Sequence, residues 1–176
     1  PFALGTDTAG SGRIPAALNG LVGLKPTRGG LSNAGVVPGC ASLSCVSILA
    51  RTVDDATHVE QVAAGFDTTD QYSRRSAGLF DTQPCDDADR CIGVPETAQL
   101  EFFGDSESQQ LFDKAIETLQ STFGTVKRID FSTFEEASDL LYNGPWVAER
   151  LTTVGEFIKE NPDDIDLTVR GIIRDG

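Results

Sequence analysis

Gly5-Thr-Asp-Thr-Ala-Gly-Ser-Gly-Arg-Ile-Pro-Ala16 gathers glycine, alanine and hydroxyl side chains around one serine, Ser11. Residues this small let backbone approach a reacting group and let neighbouring N–H groups point into one space. Such a loop suits acyl transfer: the Ser11 hydroxyl attacks a carbonyl carbon, and the loop amides hold the oxyanion that forms. The plainer reading of the same residues is a tight turn, in which glycine supplies positive φ and Thr or Ser makes local hydrogen bonds.

Other glycine-rich motifs fit less well. A phosphate-binding P-loop matches the spacing of Gly5 and Gly10, but Ser11-Gly12 stands where Lys followed by Ser or Thr is required. A dinucleotide fingerprint starting at Gly10 and Gly12 meets Pro15 at its third glycine. A nucleophile elbow needs glycine two residues to either side of the serine, and Ala9 and Arg13 stand there.

A serine nucleophile needs a base. The single histidine, His58, falls in a segment that reads as a helix over 53–64, capped by Thr52, with Val59, Val62 and Ala63 on its apolar side. That placement makes His58 a surface or boundary residue. A desolvated neutral lysine is the next candidate for taking the serine proton.

At this point three blocks in order resemble the amidase-signature family: residues 5–16, Val22-Gly-Leu-Lys-Pro-Thr27, and Ala50-Arg-Thr-Val-Asp-Asp-Ala56. The resemblance implies that Ser11 is the nucleophile and that the backbone amides of Thr8, Ala9 and Gly10 form the oxyanion hole, with that of Ser11 close by. It also implies a base made of a lysine acting through a second serine on a cis peptide, both upstream of the nucleophile loop and neither present here. Lys25 matches a family segment that follows the nucleophile and reads as structural. With no Met in the chain and Pro1 so close to the loop, the expectation is a segment of a larger protein: residues 1–176 as the C-terminal portion of an amidase-signature domain, truncated at both ends.

Within that family, the segments Gly35-Val-Val-Pro-Gly-Cys-Ala-Ser-Leu-Ser-Cys-Val-Ser47, Ala64-Gly-Phe-Asp67 with Asp70 and Tyr72-Ser-Arg74, and Leu140-Leu-Tyr-Asn-Gly-Pro-Trp-Val-Ala-Glu-Arg150 are similar to allophanate hydrolases. Ser44 departs from the aspartate often found at its place, and the match weakens after about residue 160. In the last segment Gly144 breaks a helical run and Pro145 suits the first position of a new helix, which puts Arg150 about one and a half turns in. Taken alone, Arg150 is a solvated charge near Glu149 and Trp146 a core residue. The resemblance instead implies that Tyr142 and Arg150 hold the substrate, an arginine fork being suited to a small carboxylate.

Composition sets wider limits. No apolar run approaches the ~20 residues of a membrane span. With 27 Asp and Glu against 14 Lys and Arg, the formal charge of −13 argues against nucleic acid or an anionic membrane as partner. An anionic substrate therefore needs a local positive site. Cys40, Cys45, Cys85 and Cys91 have spacings that suit neither zinc knuckles nor a thioredoxin motif, and read as reduced structural thiols of a cytoplasmic protein, a disulfide being the alternative.

Periodicity gives mixed α/β organisation: strands and turns over 20–32, a polar connection over 67–89, a buried strand at Cys91–Pro95, and an amphipathic helix from Asp105 to Phe123 with Leu111, Ala115, Leu119 and Phe123 in its stripe. Strand 126–131, helices 134–142 and 145–159, and an acidic loop at 161–166 follow. The family fold implied is a mixed β-sheet sandwiched by α-helices. The activity implied is hydrolysis of allophanate, with no metal or cofactor in that step. Biotin and ATP enter only with a urea carboxylase, fused or associated, and a homo-oligomer is compatible. The alternatives are another amidase, including the amide-transferring subunit that makes glutaminyl-tRNA, and a non-catalytic interaction domain of the same fold.

Overall fold

The computed structural model describes residues 1–75 and 90–174, and these divide into two units, one made of 1–75 with 140–174 and the other of 90–139. Cys85 and the end of the 67–89 connection lie outside the described residues.

In the first unit, β1 (Phe2–Asp7), β2 (Val22–Leu24) and β3 (Cys45–Ala50) form an antiparallel sheet with β3 in the centre. Gly5 faces Ser47 and Asp7 faces Cys45 across the β1–β3 pair. The sequence reading missed β1 and β3. Cys45, Ser47, Ile48 and Ala50 are all buried, so β3 is covered on both faces and lacks the alternation that marks a half-buried strand. Its Ile48 and Ala50 join Leu31 and Ala56 in the core, with Val22, Leu24 and Val59 packed around them.

Helix α1 (Arg13–Leu18) follows the loop that carries Ser11, and α2 (Val53–Ala63) brings Ala56 to the core. The Thr52 hydroxyl accepts the Asp55 N–H at 3.1 Å, as the cap reading requires. The apolar side of α2 is rotated from the expected one: Val59 packs inward, whereas Val62 is 87% exposed. His58 is exposed on the same helix.

The acidic stretch after residue 160 does not end the ordered structure. Asp166 Oδ1 accepts the N–H groups of Thr168 and Val169 at 2.9 and 3.2 Å, starting α6 (Leu167–Arg174). This helix packs on α5 (Pro145–Glu160), whose N-cap is Gly144 with Pro145 in its first turn.

The second unit is a βαβ element. Strands β4 (Cys91–Pro95) and β5 (Thr125–Ile129) pair in parallel, which requires a crossover, and α3 (Ser106–Phe123) supplies it. Asp105 caps α3 through the N–H groups of Glu107 and Ser108, and Gly124, at φ 77°, ends it. The inner stripe of α3 is Phe112, Ile116, Leu119 and Phe123, while Leu111 is exposed, so the expected stripe is off by one residue over its first half. In β4 only Val94 is buried; a two-stranded sheet under one helix has too little cover to bury more. Helix α4 (Ser132–Asn143) carries Leu141, buried, and Tyr142, exposed, in its last turn. The chain is thus mixed α/β, with an antiparallel and a parallel sheet among the described residues.

Candidate active site

The loop between β1 and α1 is built around a carboxylate. Asp7, the last residue of β1, has no exposed surface, and its Oδ1 accepts the Gly10 N–H at 2.7 Å. Its Oδ2 accepts the N–H groups of Gly12 and Arg13, each at 3.2 Å, and the Arg13 guanidinium closes over both oxygens. Burial pushes the Asp7 carboxyl up, but the hydrogen bond from the Arg13 side chain, those from the Gly10 and Arg13 backbone N–H groups and the Arg13 charge outweigh it and hold it down at about 2. A charged Asp7 therefore curls residues 8–12 around itself. Glycines make this possible: Gly10 sits at φ 126°, and a Cβ on Gly12 would come within 2.3 Å of Ser47 Oγ.

Because Asp7 takes the Gly10 N–H, that amide is engaged inside the loop. The N–H groups of Thr8, Ala9 and Ser11 have no hydrogen-bond acceptor among the described residues. The Ser11 side chain is exposed, and its Oγ donates to the Thr6 carbonyl at 2.9 Å. Thr8 Oγ1 lies 2.9 Å from Ser44 Oγ, so Ser44 makes a hydrogen bond to the loop that carries Ser11.

Thr8, Ala9 and Ser11 open onto a cleft of about 390 Å³ that Tyr142 and Arg150 also line. The structure thus brings together residues more than 130 positions apart in sequence, Ser11 and the pair at the junction of α4 and α5. The Arg150 guanidinium carbon stands 5.3 Å from the centre of the Tyr142 ring, which orients the fork without neutralising it. Arg150 pairs with no carboxylate among the described residues, and the neighbouring Glu149 turns instead to Ser42 and Cys40. Val169, Ile172 and Ile173 of α6 supply an apolar wall of the cleft. The sequence reading missed them, although Asp166 followed by apolar residues at 169, 172 and 173 has the pattern of a capped amphipathic helix.

Lys25 is not at the loop serine: its Nζ donates to Cys45 Sγ at 3.4 Å. Cys40, Cys45 and Cys91 are free thiols, the first two buried. The 64–74 segment acts as a brace, with Asp70 accepting the N–H groups of Asn33 and Tyr72, and Asp67 the Ser32 hydroxyl. Among the described residues no cluster of His, Cys, Asp or Glu could hold a metal, and no helix is long and apolar enough to cross a membrane.

A family model described as Amidase matches residues 1–175. The chain belongs to the amidase family. The match runs through α6, beyond the point where the resemblance fades to the eye. Among relatives in this amidase family, the urea amidolyase of Lachancea kluyveri is 41% identical over 177 residues, 99% of this chain and 10% of its own length. Kluyveromyces lactis allophanate hydrolase superposes with a TM-score of 0.88 at 41% identity, over 99% of this chain and 28% of that one. More distant is a glutamyl-tRNA(Gln) amidotransferase subunit of Natronomonas pharaonis, 37% identical over 145 residues, 80% of this chain and 34% of its own length. The chain therefore spans about a tenth of the urea amidolyase and under a third of the allophanate hydrolase it matches.

Proposed function

We propose that this chain carries the nucleophile and the substrate-anchoring side of an amidohydrolase that acts on allophanate, urea bearing a carboxylate on one nitrogen, in urea degradation. The observation that carries the reading is one cleft holding both an exposed serine on an amide-rich loop and an arginine with no acidic partner among the described residues. A substrate that needs both is an amide with a carboxylate at its far end. The 41% identity to urea amidolyase and the fold match to allophanate hydrolase support that choice over the amide-transferring enzyme, whose match covers less of the chain.

In the mechanism proposed, Arg150 and the Tyr142 hydroxyl hold the carboxylate and so direct the terminal ureido carbonyl to Ser11. Ser11 Oγ forms a bond to that carbon as its proton passes to a base, and the amides of Thr8, Ala9 and Ser11 hold the oxyanion. Gly10 shapes the loop through its backbone, its N–H being held by Asp7. Collapse breaks the C–NH₂ bond, the leaving nitrogen takes the proton and departs as ammonia, and water releases the acyl group from Ser11. The base is the family's lysine acting through a second serine, which the resemblance puts upstream of this loop. None of these steps uses a metal or cofactor; biotin and ATP belong to a urea carboxylase, fused or associated. The setting proposed is cytoplasmic.

The test is Ser11→Ala in the full-length enzyme. Turnover should vanish with the thermal midpoint nearly unchanged, since an exposed hydroxyl contributes little stability. Persistent covalent labelling of that variant by an acylating probe would remove Ser11 from the role.

A further inference from the structure

Glu149 stands one residue before Arg150 on α5 and points to a different partner. Its Oε1 accepts the Ser42 N–H at 2.7 Å, and its Oε2 accepts the Ser42 hydroxyl at 2.5 Å and the Cys40 thiol at 3.0 Å. Cys40 is wholly buried, so this is an internal clamp between α5 and the loop over 40–44. Burial pushes the Glu149 carboxyl up, but its donors and the nearby Arg28 charge outweigh that and hold it down, so it stays ionised. Arg28 also grips the same loop through the Ala41 carbonyl at 2.6 Å.

The clamp continues to the nucleophile loop. The Cys40 N–H donates to Ser44 Oγ at 3.2 Å, the Ser44 N–H returns to the Cys40 carbonyl at 2.8 Å, and Ser44 Oγ meets Thr8 Oγ1 at 2.9 Å. Hydrogen bonds joined through Cys40 thus link Glu149 to Thr8, three residues from Ser11. No other polar side chain on α5 makes a hydrogen bond to the 40–44 loop among the described residues.

We propose that Glu149 is a positioning residue that sets the span between Arg150 and Ser11, by tying α5 to the 40–44 loop through Ser42 and Cys40 and from there to Thr8. The proposal rests on the reading that Arg150 holds the substrate carboxylate. A fixed span selects the length of the substrate: the anchored carboxylate and the attacked carbonyl must both fall in place, and a misplacement of ~1 Å costs on the order of a hundredfold in rate. Arg150 itself keeps its charge and its Tyr142 stack when the clamp is lost, so binding of the carboxylate survives better than catalysis.

The experiment compares allophanate with biuret, in which a carboxamide replaces the carboxylate, on the full-length enzyme and its Glu149→Gln, Arg150→Ala and double variants. Glutamine keeps the shape but brings N–H groups against donors. The expected result is a kcat for allophanate lowered roughly 30-fold with KM moved less than about threefold, and biuret turnover within about twofold of the parent. In the Arg150→Ala background Glu149→Gln should add almost nothing, because no anchored carboxylate remains to be misplaced. Glu149→Asp, which keeps the charge on a shorter arm, should recover part of the loss. Equal losses on both substrates, or losses that simply add in the double variant, overturn the proposal and leave Glu149 a general stabiliser. If Arg150→Ala itself fails to distinguish allophanate from biuret, the reading beneath the proposal is what has failed. Ser42→Ala leaves α5 unaltered and removes one bond to the same carboxylate; the same selectivity at about three- to fivefold is expected from it, and its absence overturns the proposal even if Glu149→Gln does not fold.

Discussion

Arg13 clasps the buried carboxylate of Asp7 with two parallel bonds, Nε to Oδ2 at 2.9 Å and Nη2 to Oδ1 at 3.1 Å, and so closes the loop that presents Ser11. Asp7 has no exposed surface, whereas the Arg13 side chain is 52% exposed. Asp7→Asn should therefore do more than loosen a surface ion pair: the amide must turn its NH₂ toward either the Gly10 N–H or those of Gly12 and Arg13, setting donor against donor on one side. Arg13 can return to water, which moderates the cost to about 2–3 kcal/mol. Urea unfolding of the parent and the variant measures it, and a difference under a few tenths would mean that the loop holds its shape without the charge.

The same carboxyl sets an acid limit. Its pKa falls from 3.8 to about 2 on folding, so the folded state favours the ionised form, and the stabilisation is complete above pH 4. It is lost as pH drops from about 4 toward 2 and amounts to about 2 kcal/mol. Asp7→Asn should flatten that part of the stability curve. Equal slopes for both proteins between pH 4 and 2 would show that Asp7 titrates alike when folded and unfolded.

Gly10 has a backbone that no side chain tolerates well, φ 126°, and a Cβ there would lie 2.8 Å from Ile14 Cδ1. Ile14 is 60% exposed and its side chain can turn away, but the backbone strain remains at about 1–3 kcal/mol. Gly10→Ala should lower kcat more than about a hundredfold, because relief of the strain moves Ser11 and its flanking amides together. Unchanged kcat with a lowered thermal midpoint would mean that the alanine is absorbed without moving the loop.

The sequence made the loop around Ser11 legible because its chemistry is local: glycine, alanine and hydroxyls around one serine state a backbone purpose. Helices marked by a cap or a break were equally readable, as Thr52 and the Gly144-Pro145 pair show. The strands that carry the site were not. Strand β3 is covered on both faces and β1 is too polar toward its end to show a period. Nor was the engagement of the Gly10 amide by Asp7 visible, since whether a carboxylate points inward depends on the Arg13 that covers it. Contacts such as Glu149 to Ser42 join residues 107 apart and leave no mark on local pattern.

Arg150 decides between the allophanate reading and a broader amidase one. If it pairs with the substrate carboxylate, Arg150→Ala removes a two-pronged ionic hydrogen bond in a partly enclosed cleft, and allophanate kcat/KM should fall by roughly 30- to 1000-fold. Lysine restores charge but not the fork, so Arg150→Lys should recover only part of the loss. Tyr142→Phe keeps a ring beneath the guanidinium and loses only the hydroxyl, which should cost about tenfold. Biuret should be a poor substrate for every one of these proteins and should hardly register the change at 150. Measuring both substrates on both proteins closes the cycle: a loss confined to allophanate places the carboxylate at Arg150, and equal losses would make Arg150 a structural residue of α5 and return the substrate to the wider family of amides.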